Sequence, residues 1–167
     1  MSQQLEKVLK NKDRTMDSGL DDGQQEENIT QLVGFIVGEE EYAIPILNIQ
    51  EIIKPIEYTR VPSTPNYVLG AFNLRGNVIP LIDLRMKFNL PSQNQNEETR
   101  YIVMKDGDNI AGFVIDKLTE AIRLTDQQIE PAPETLHKDK GAISGIGKRK
   151  DNILTILKVD VLLQRDF

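Results

Sequence analysis

Beyond residue 28 the hydrophobic positions fall in short apolar or alternating runs, broken every few residues by Gly, Pro, Asn or Asp. A period of two sends successive side chains to opposite faces of a strand, so these runs read as β-strands. In the first half they lie at Leu32 to Val37, Tyr42 to Ile44, Tyr58 to Val61, Val68 to Leu74 and Val78 to Leu84. One helical insert is expected at Ile46 to Lys54: Pro45 suits a first helical position, Pro55 forbids continuation, and Ile46, Ile49 and Ile53 share one stripe. After the polar stretch Pro91 to Glu98, strands resume at Tyr101 to Lys105 and Ile110 to Leu118, joined by the turn residues Asp106-Gly107-Asp108-Asn109. Alternation continues over Glu120 to Leu124, and Thr125 with Gln128 has capping-box spacing. Ala142 to Gly147 and Ile153 to Val159 make a final hairpin, and Asp160 to Asp166 a last helical turn.

That pattern gives about five strands before Pro91 and five after it, sets too small for an open sandwich but suited to closed barrels, which leave no exposed edges. The expected organisation is all-β, with approximate subdomains 29–90 and 99–160, a hinge at Pro91 to Glu98 and a helical turn at 160–166. No sequence repeat is visible, so the duplication is one of architecture. Residues 1–28 differ: seven acidic and four basic side chains with few large apolar groups predict a flexible acidic tail.

Charge and chemistry narrow the function. A formal charge of -6 and a pI near 4.9 argue against nucleic acid, whose binding rests on Lys and Arg neutralising phosphates. Cys is absent, which excludes disulfides, thiolate metal sites and thiol nucleophiles. No apolar run approaches the roughly 20 residues of a membrane-spanning helix, and the chain reads as cytoplasmic. His137 is the only histidine and has neither a second His nor an evident nucleophile. Gly141, Gly145 and Gly147 before Lys148 fail as a phosphate loop, since Ala142 and Arg149 occupy the places of a required Gly and Ser/Thr. Glu39-Glu40-Glu41 and the Asp106 to Asn109 turn lack calcium-loop spacing. No cofactor, metal or catalytic apparatus is expected.

The segment Asn73-Leu74-Arg75-Gly76-Asn77-Val78-Ile79-Pro80-Leu81-Ile82-Asp83-Leu84-Arg85 sets a charged turn between two apolar strands. Gly76 and Asn77 permit positive φ, and Arg75 projects a five-donor cation where the strands reverse. With Gly38 to Ile44, Ile49 to Ile52, Thr64-Pro65 before Gly70, and Gln128 to Pro133, all in order, this segment closely resembles the CheW family of bacterial chemotaxis coupling proteins over Thr30 to about Leu163.

The resemblance implies a fold of two packed five-stranded SH3-like β-barrel subdomains with short helical inserts, and no catalysis. It implies two partners, the cytoplasmic tip of methyl-accepting chemoreceptors and the regulatory domain of the histidine kinase CheA, with recruitment to membrane-associated receptor arrays. Receptor-binding positions would be Ile46, Ile49, Glu51, Ile52, Arg75 and Val78, a mix of apolar anchors and two charges suited to an amphipathic helix. Kinase-binding candidates are Glu130 and Glu134, in a loop where this chain has Glu130 and Thr135 and relatives can carry a base and an aromatic. Two other readings stay open: the CheW-like module of a larger chemotaxis protein (CheV or the CheA regulatory domain), and a small-barrel nucleic-acid or ligand binder. Against the last stand the acidic charge and only nine aromatic residues, none of them Trp.

Overall fold

In the computed structural model, which describes residues 28–133 and 141–164, eleven strands build two sheets. The strands are β1 (Ile29–Val37), β2 (Glu40–Pro45), β3 (Ile49–Ile53), β4 (Val68–Leu74), β5 (Asn77–Asp83), β6 (Arg100–Asp106), β7 (Asn109–Ile115), β8 (Lys117–Thr125), β9 (Ile129–Pro131), β10 (Ile143–Arg149) and β11 (Asn152–Leu157). Two short helices, α1 (Leu84–Lys87) and α2 (Val159–Leu162), follow β5 and β11. The hydrogen-bonded order is β8-β1-β2-β11-β10-β9 in one sheet and β3-β6-β7-β5-β4 in the other.

Strand alternation decides where each side chain goes. Val33, Phe35 and Val37 of β1, Ile102 and Met104 of β6, and Ala111, Phe113 and Ile115 of β7 enter a core shared by the two sheets. Their neighbours point the other way. Leu32, Ala43, Ile122, Leu124, Leu154 and Ile156 form a second core on the first sheet, and Phe72, Ile79, Leu81, Tyr101, Val103 and Val114 a third on the other. Both faces of the central strands are thus buried, which explains their continuous apolar runs. Each fully buried Phe, Ile or Leu contributes about 1.5–3 kcal/mol relative to exposure. Ile53 of β3 and Phe72 of β4, from opposite edges of one sheet, join one cluster, so that sheet curls.

The curl stops short of closure. Both sheets keep two edge strands, so the expected five-stranded closed barrels are replaced by open curled sheets of six and five strands. The polar stretch at 91–98 does not divide them either, because each sheet takes strands from both sides of it. The β1–β2 hairpin pairs with β8 and, in parallel, with β11; the β6–β7 hairpin pairs with β3 and, in parallel, with β5. Each half of the chain therefore lends its first hairpin to the sheet of the other half.

The halves match in detail. A register shift lies between Val68 and Gly70 in β4 and between Ile143 and Gly145 in β10. A Cβ on Gly70 would stand 2.1 Å from the Thr59 carbonyl oxygen, and one on Gly145 2.8 Å from that of Glu130, so glycine admits the neighbouring chain at both places. The Asp83 N–H donates to the Tyr67 carbonyl and the Lys158 N–H to the Ala142 carbonyl, both at 2.7 Å.

Three local expectations change. Ile46 to Lys54 is not a helix but a 3₁₀ turn, Ile46–Asn48, running into β3. The turn repeats every three residues, and a bulge between Ile49 and Glu51 returns Ile52 to the face of Ile49, so the apolar spacing imitates a helical stripe. Tyr58 to Val61 forms only an isolated bridge, Thr59 to Ala71, beside Pro55, Pro62 and Pro65, which have no N–H to donate. Ile110 to Leu118 breaks at Asp116 into β7 and β8. The tail up to residue 27, Glu134 and His137 lie outside the described residues.

Asp83-Leu84-Arg85 works as a joint. Asp83 caps α1 by accepting from the Arg85 N–H at 2.9 Å, and Leu84 is fully buried. The Arg85 guanidinium pairs with Asp116 at 3.0 Å and donates to the Pro91 carbonyl, while Asp116 accepts from the Gly38 N–H at 2.8 Å. One cation so ties the 91–98 segment, the β7–β8 junction and the β1–β2 turn.

Burial pushes the Asp83 carboxyl above the usual carboxylate range, against the opposing backbone N–H groups of Arg85 and Met86. With its pKa raised on folding, the group costs nothing below the unfolded-state value, costs increasingly as pH rises from that value, and costs in full above the folded-state value. Asp83→Asn keeps a capping acceptor without the charge. Its melting temperature should exceed the parent's at pH 7, with the difference fading as the buffer falls below the ordinary Asp range.

Candidate interaction surface

The β4–β5 hairpin reverses through two residues, Arg75 and Gly76, with φ of 53° and 86°. Two successive positive φ values match the twist of flanking strands, and the Asn73 side-chain oxygen fixes the turn by accepting from the Gly76 N–H at 3.0 Å. Arg75 is thereby held at the tip with its side chain outward. Its Nη2 donates to Glu51 Oε1 at 2.7 Å and its Nε to Oε2 at 3.2 Å, a two-point guanidinium–carboxylate contact. The Glu51 hydrogen bonds and charge raise the Arg75 pKa above its usual value.

Glu51 belongs to β3 and Arg75 follows β4, the two edges of the five-stranded sheet. The ion pair therefore spans the seam that backbone hydrogen bonds leave open. A solvated pair adds little to stability. Its effect is positional: it fixes a cation and a carboxylate on the rim.

The six receptor-side positions divide by burial. Glu51 and Arg75 pair at the rim; Val78, on β5 just past the turn, is exposed, and Ile52 is half-buried next to Glu51 in the chain. Ile46 and Ile49, at 3% and 1% exposure, belong to the shared core and offer no side-chain surface to a partner. Leu47 between them is exposed, because the three-residue period of its turn sends Ile46 and Ile49 inward. On the kinase side, Glu130 lies on the edge strand β9, paired with Lys148 at 2.7 Å.

Among the described residues no three His, Cys, Asp or Glu side chains gather as metal ligands, and no helix is long and apolar enough to cross a membrane. An open polar depression of about 750 Å³ beside Asp83, Tyr58 and Asn96 contains Arg85 and Asp116, already spent on each other. What the surface does offer is a fixed charge beside exposed aliphatic side chains, the means of gripping a protein segment.

A curled two-sheet β scaffold with such a rim defines a protein-interaction module. The CheW-like domain model matches residues 31–167, and the chain belongs to the CheW family of chemotaxis coupling adaptors. Chemotaxis protein CheW of Helicobacter pylori is 60% identical over 141 residues, covering 84% of this chain and 86% of that protein. Chemotaxis protein CheW of Bacillus subtilis is 35% identical, covering 81% and 88%. The crystal structure of the scaffolding protein TtCheW from Thermoanaerobacter tengcongensis superposes with a TM-score of 0.74 at 31% identity, covering 78% of this chain and 90% of that one.

Burial separates two kinds of apolar residue in this region. Ile49→Ala should lower unfolding free energy by about 2–5 kcal/mol, the cost of a core cavity. Val78→Ala should stay within about 0.5 kcal/mol of the parent, as exposed positions do. Urea denaturation of both variants measures the contrast.

Proposed function

We propose that the chain is a non-catalytic cytoplasmic scaffold that joins the tips of chemoreceptors to the regulatory domain of the histidine kinase CheA, within membrane-associated receptor arrays. The carrying observation is membership of the CheW family across residues 31–167, with Arg75 and Glu51 paired across the open seam and Val78 exposed on the adjoining strand. An amphipathic receptor helix would rest its apolar face on Val78, Ile52 and Leu47, and Arg75 would set its orientation through a carboxylate. Ile46 and Ile49 act from beneath, seating the turn and strand that carry Leu47, Glu51 and Ile52. On the kinase side the candidates are Glu130, on an edge strand, and Glu134.

Arg75→Glu puts two carboxylates face to face at the seam and reverses the exposed charge. Binding to a purified receptor cytoplasmic fragment should weaken by about tenfold or more. Because an exposed ion pair holds little of the fold together, the circular dichroism spectrum should stay that of the parent. Undiminished binding by a folded Arg75→Glu variant would remove the rim from the receptor site.

A further inference from the structure

The 27 residues that precede Asn28, outside the described part of the chain, join it close to the receptor-side positions. β1 pairs Leu32 with Pro45, so the chain before Leu32 runs alongside the Ile46–Asn48 turn, and β1 touches that turn. Ile29 stands on the face of β1 that Val33 turns to the shared core, yet it is 46% exposed, past the margin of that core. Leu47, on the turn itself, is 60% exposed. From Leu47 an open groove of about 330 Å³ runs between Asn48 and Gln50 on one side and Lys105 and Gly107 on the other. Asn48 ties its walls together by donating to the Lys105 carbonyl at 3.1 Å. The Lys105 side chain is exposed, and among the described residues no carboxylate pairs with it.

The sequence of the preceding segment suits that groove. Between Ser2 and Met16 the apolar residues Leu5, Val8, Leu9 and Met16 are spaced to share one face of a helix, and Glu6 and Asp13 flank that face. A helix of this length is marginal in water and needs an apolar surface to rest on. Exposed Ile29 and Leu47 offer one, and Lys105 offers a cation to the flanking carboxylates. Reach is no obstacle. As a coil, residues 17–28 would span about 20 Å, enough to bring the stripe back to Leu47. The tether also raises the local concentration of the segment to about millimolar, so a contact too weak to form between separate molecules is populated within one.

We infer that residues 2–16 dock as an amphipathic helix on Ile29, Leu47 and the Lys105 groove, and thereby compete with the receptor helix for Leu47. The chain carries its own weak occupant of the receptor-side surface. An apolar stripe flanked by carboxylates is the chemistry that surface is proposed to take from a receptor, so the two helices exclude each other. A tether of about millimolar strength lowers receptor affinity by a few fold without abolishing it, and a tightly binding receptor displaces the segment. The competition rests on the coupling function proposed above; the docking itself does not.

The full chain has no Cys, so Ser2→Cys gives a single site for a nitroxide spin label. In isotope-enriched protein, paramagnetic broadening should fall on the amides of Leu47 to Gln50 and Lys105 to Gly107, and should vanish when Leu5→Asp and Leu9→Asp are added. Isothermal titration calorimetry with a purified receptor cytoplasmic fragment should find the unlabelled Leu5→Asp, Leu9→Asp variant binding at least threefold more tightly than the parent. Broadening that falls elsewhere, or that survives the two Asp substitutions, overturns the docking. Broadening passed from labelled chains to enriched, unlabelled ones places the segment on a second copy and overturns the intramolecular contact. Where the docking is present, equal receptor affinities for parent and variant overturn the competition. If neither chain binds the receptor fragment, the coupling function fails and the competition with it, while the broadening pattern still decides the docking.

Discussion

Neither sheet can form from one half of the chain. The β1–β2 hairpin finds its neighbours in β8 and β11, and the β6–β7 hairpin in β3 and β5, so the pairing that completes one sheet also commits strands to the other. An isolated hairpin is marginal in water, and these two gain their burial only once distant strands arrive. Parallel pairing of β5 with β7 and β2 with β11 adds crossovers that no local turn can make. The exchange costs loop-closure entropy during folding and returns a core shared by both sheets. Separating the halves would tear the β1–β8 and β3–β6 ladders, which makes this scaffold one mechanical unit.

The same exchange explains why the rims are ionic. Each sheet curls far enough for its two edges to share an apolar cluster, yet among the described residues no backbone ladder joins β3 to β4 or β8 to β9. A hydrogen-bonded closure would have buried the seam in main chain. An Arg–Glu bridge closes it instead with side chains that still face water, so the fold positions the charges more than the charges hold the fold.

Most strands were legible because period-two alternation is a local property, and so was the Thr125–Gln128 capping box, in which the Gln128 side chain accepts from the Thr125 N–H at 2.9 Å. The segment from Ile46 to Lys54 misled because a 3₁₀ turn followed by a bulge reproduces the i, i+3 spacing of a helix. Pro91 to Glu98 was correctly polar but wrongly a boundary between sheets: composition reports exposure, whereas strand partnership is a long-range fact. The repeat stayed hidden because equivalent positions exchange volume. Phe72 packs over Gly112 in one sheet, while Gly147, the counterpart of Phe72, leaves room that Leu124 and Leu154 fill.

At the rim, turn chemistry alone pointed to Arg75 as a cation where the strands reverse, although the positive φ expected at Gly76 and Asn77 falls at Arg75 and Gly76. Its partner was not legible in that way, because Glu51 sits 24 residues earlier on the far edge of the sheet and only the curl brings them together. The same holds for Glu120 and Arg149, which pair in the six-stranded sheet. The two bridges are not equivalent in register: Arg149 stands where Leu74 does, and Lys150, at the hairpin tip, where Arg75 does. Side chains at different positions of a duplicated fold thus close its two open seams, so the strands repeat more faithfully than the contacts across them.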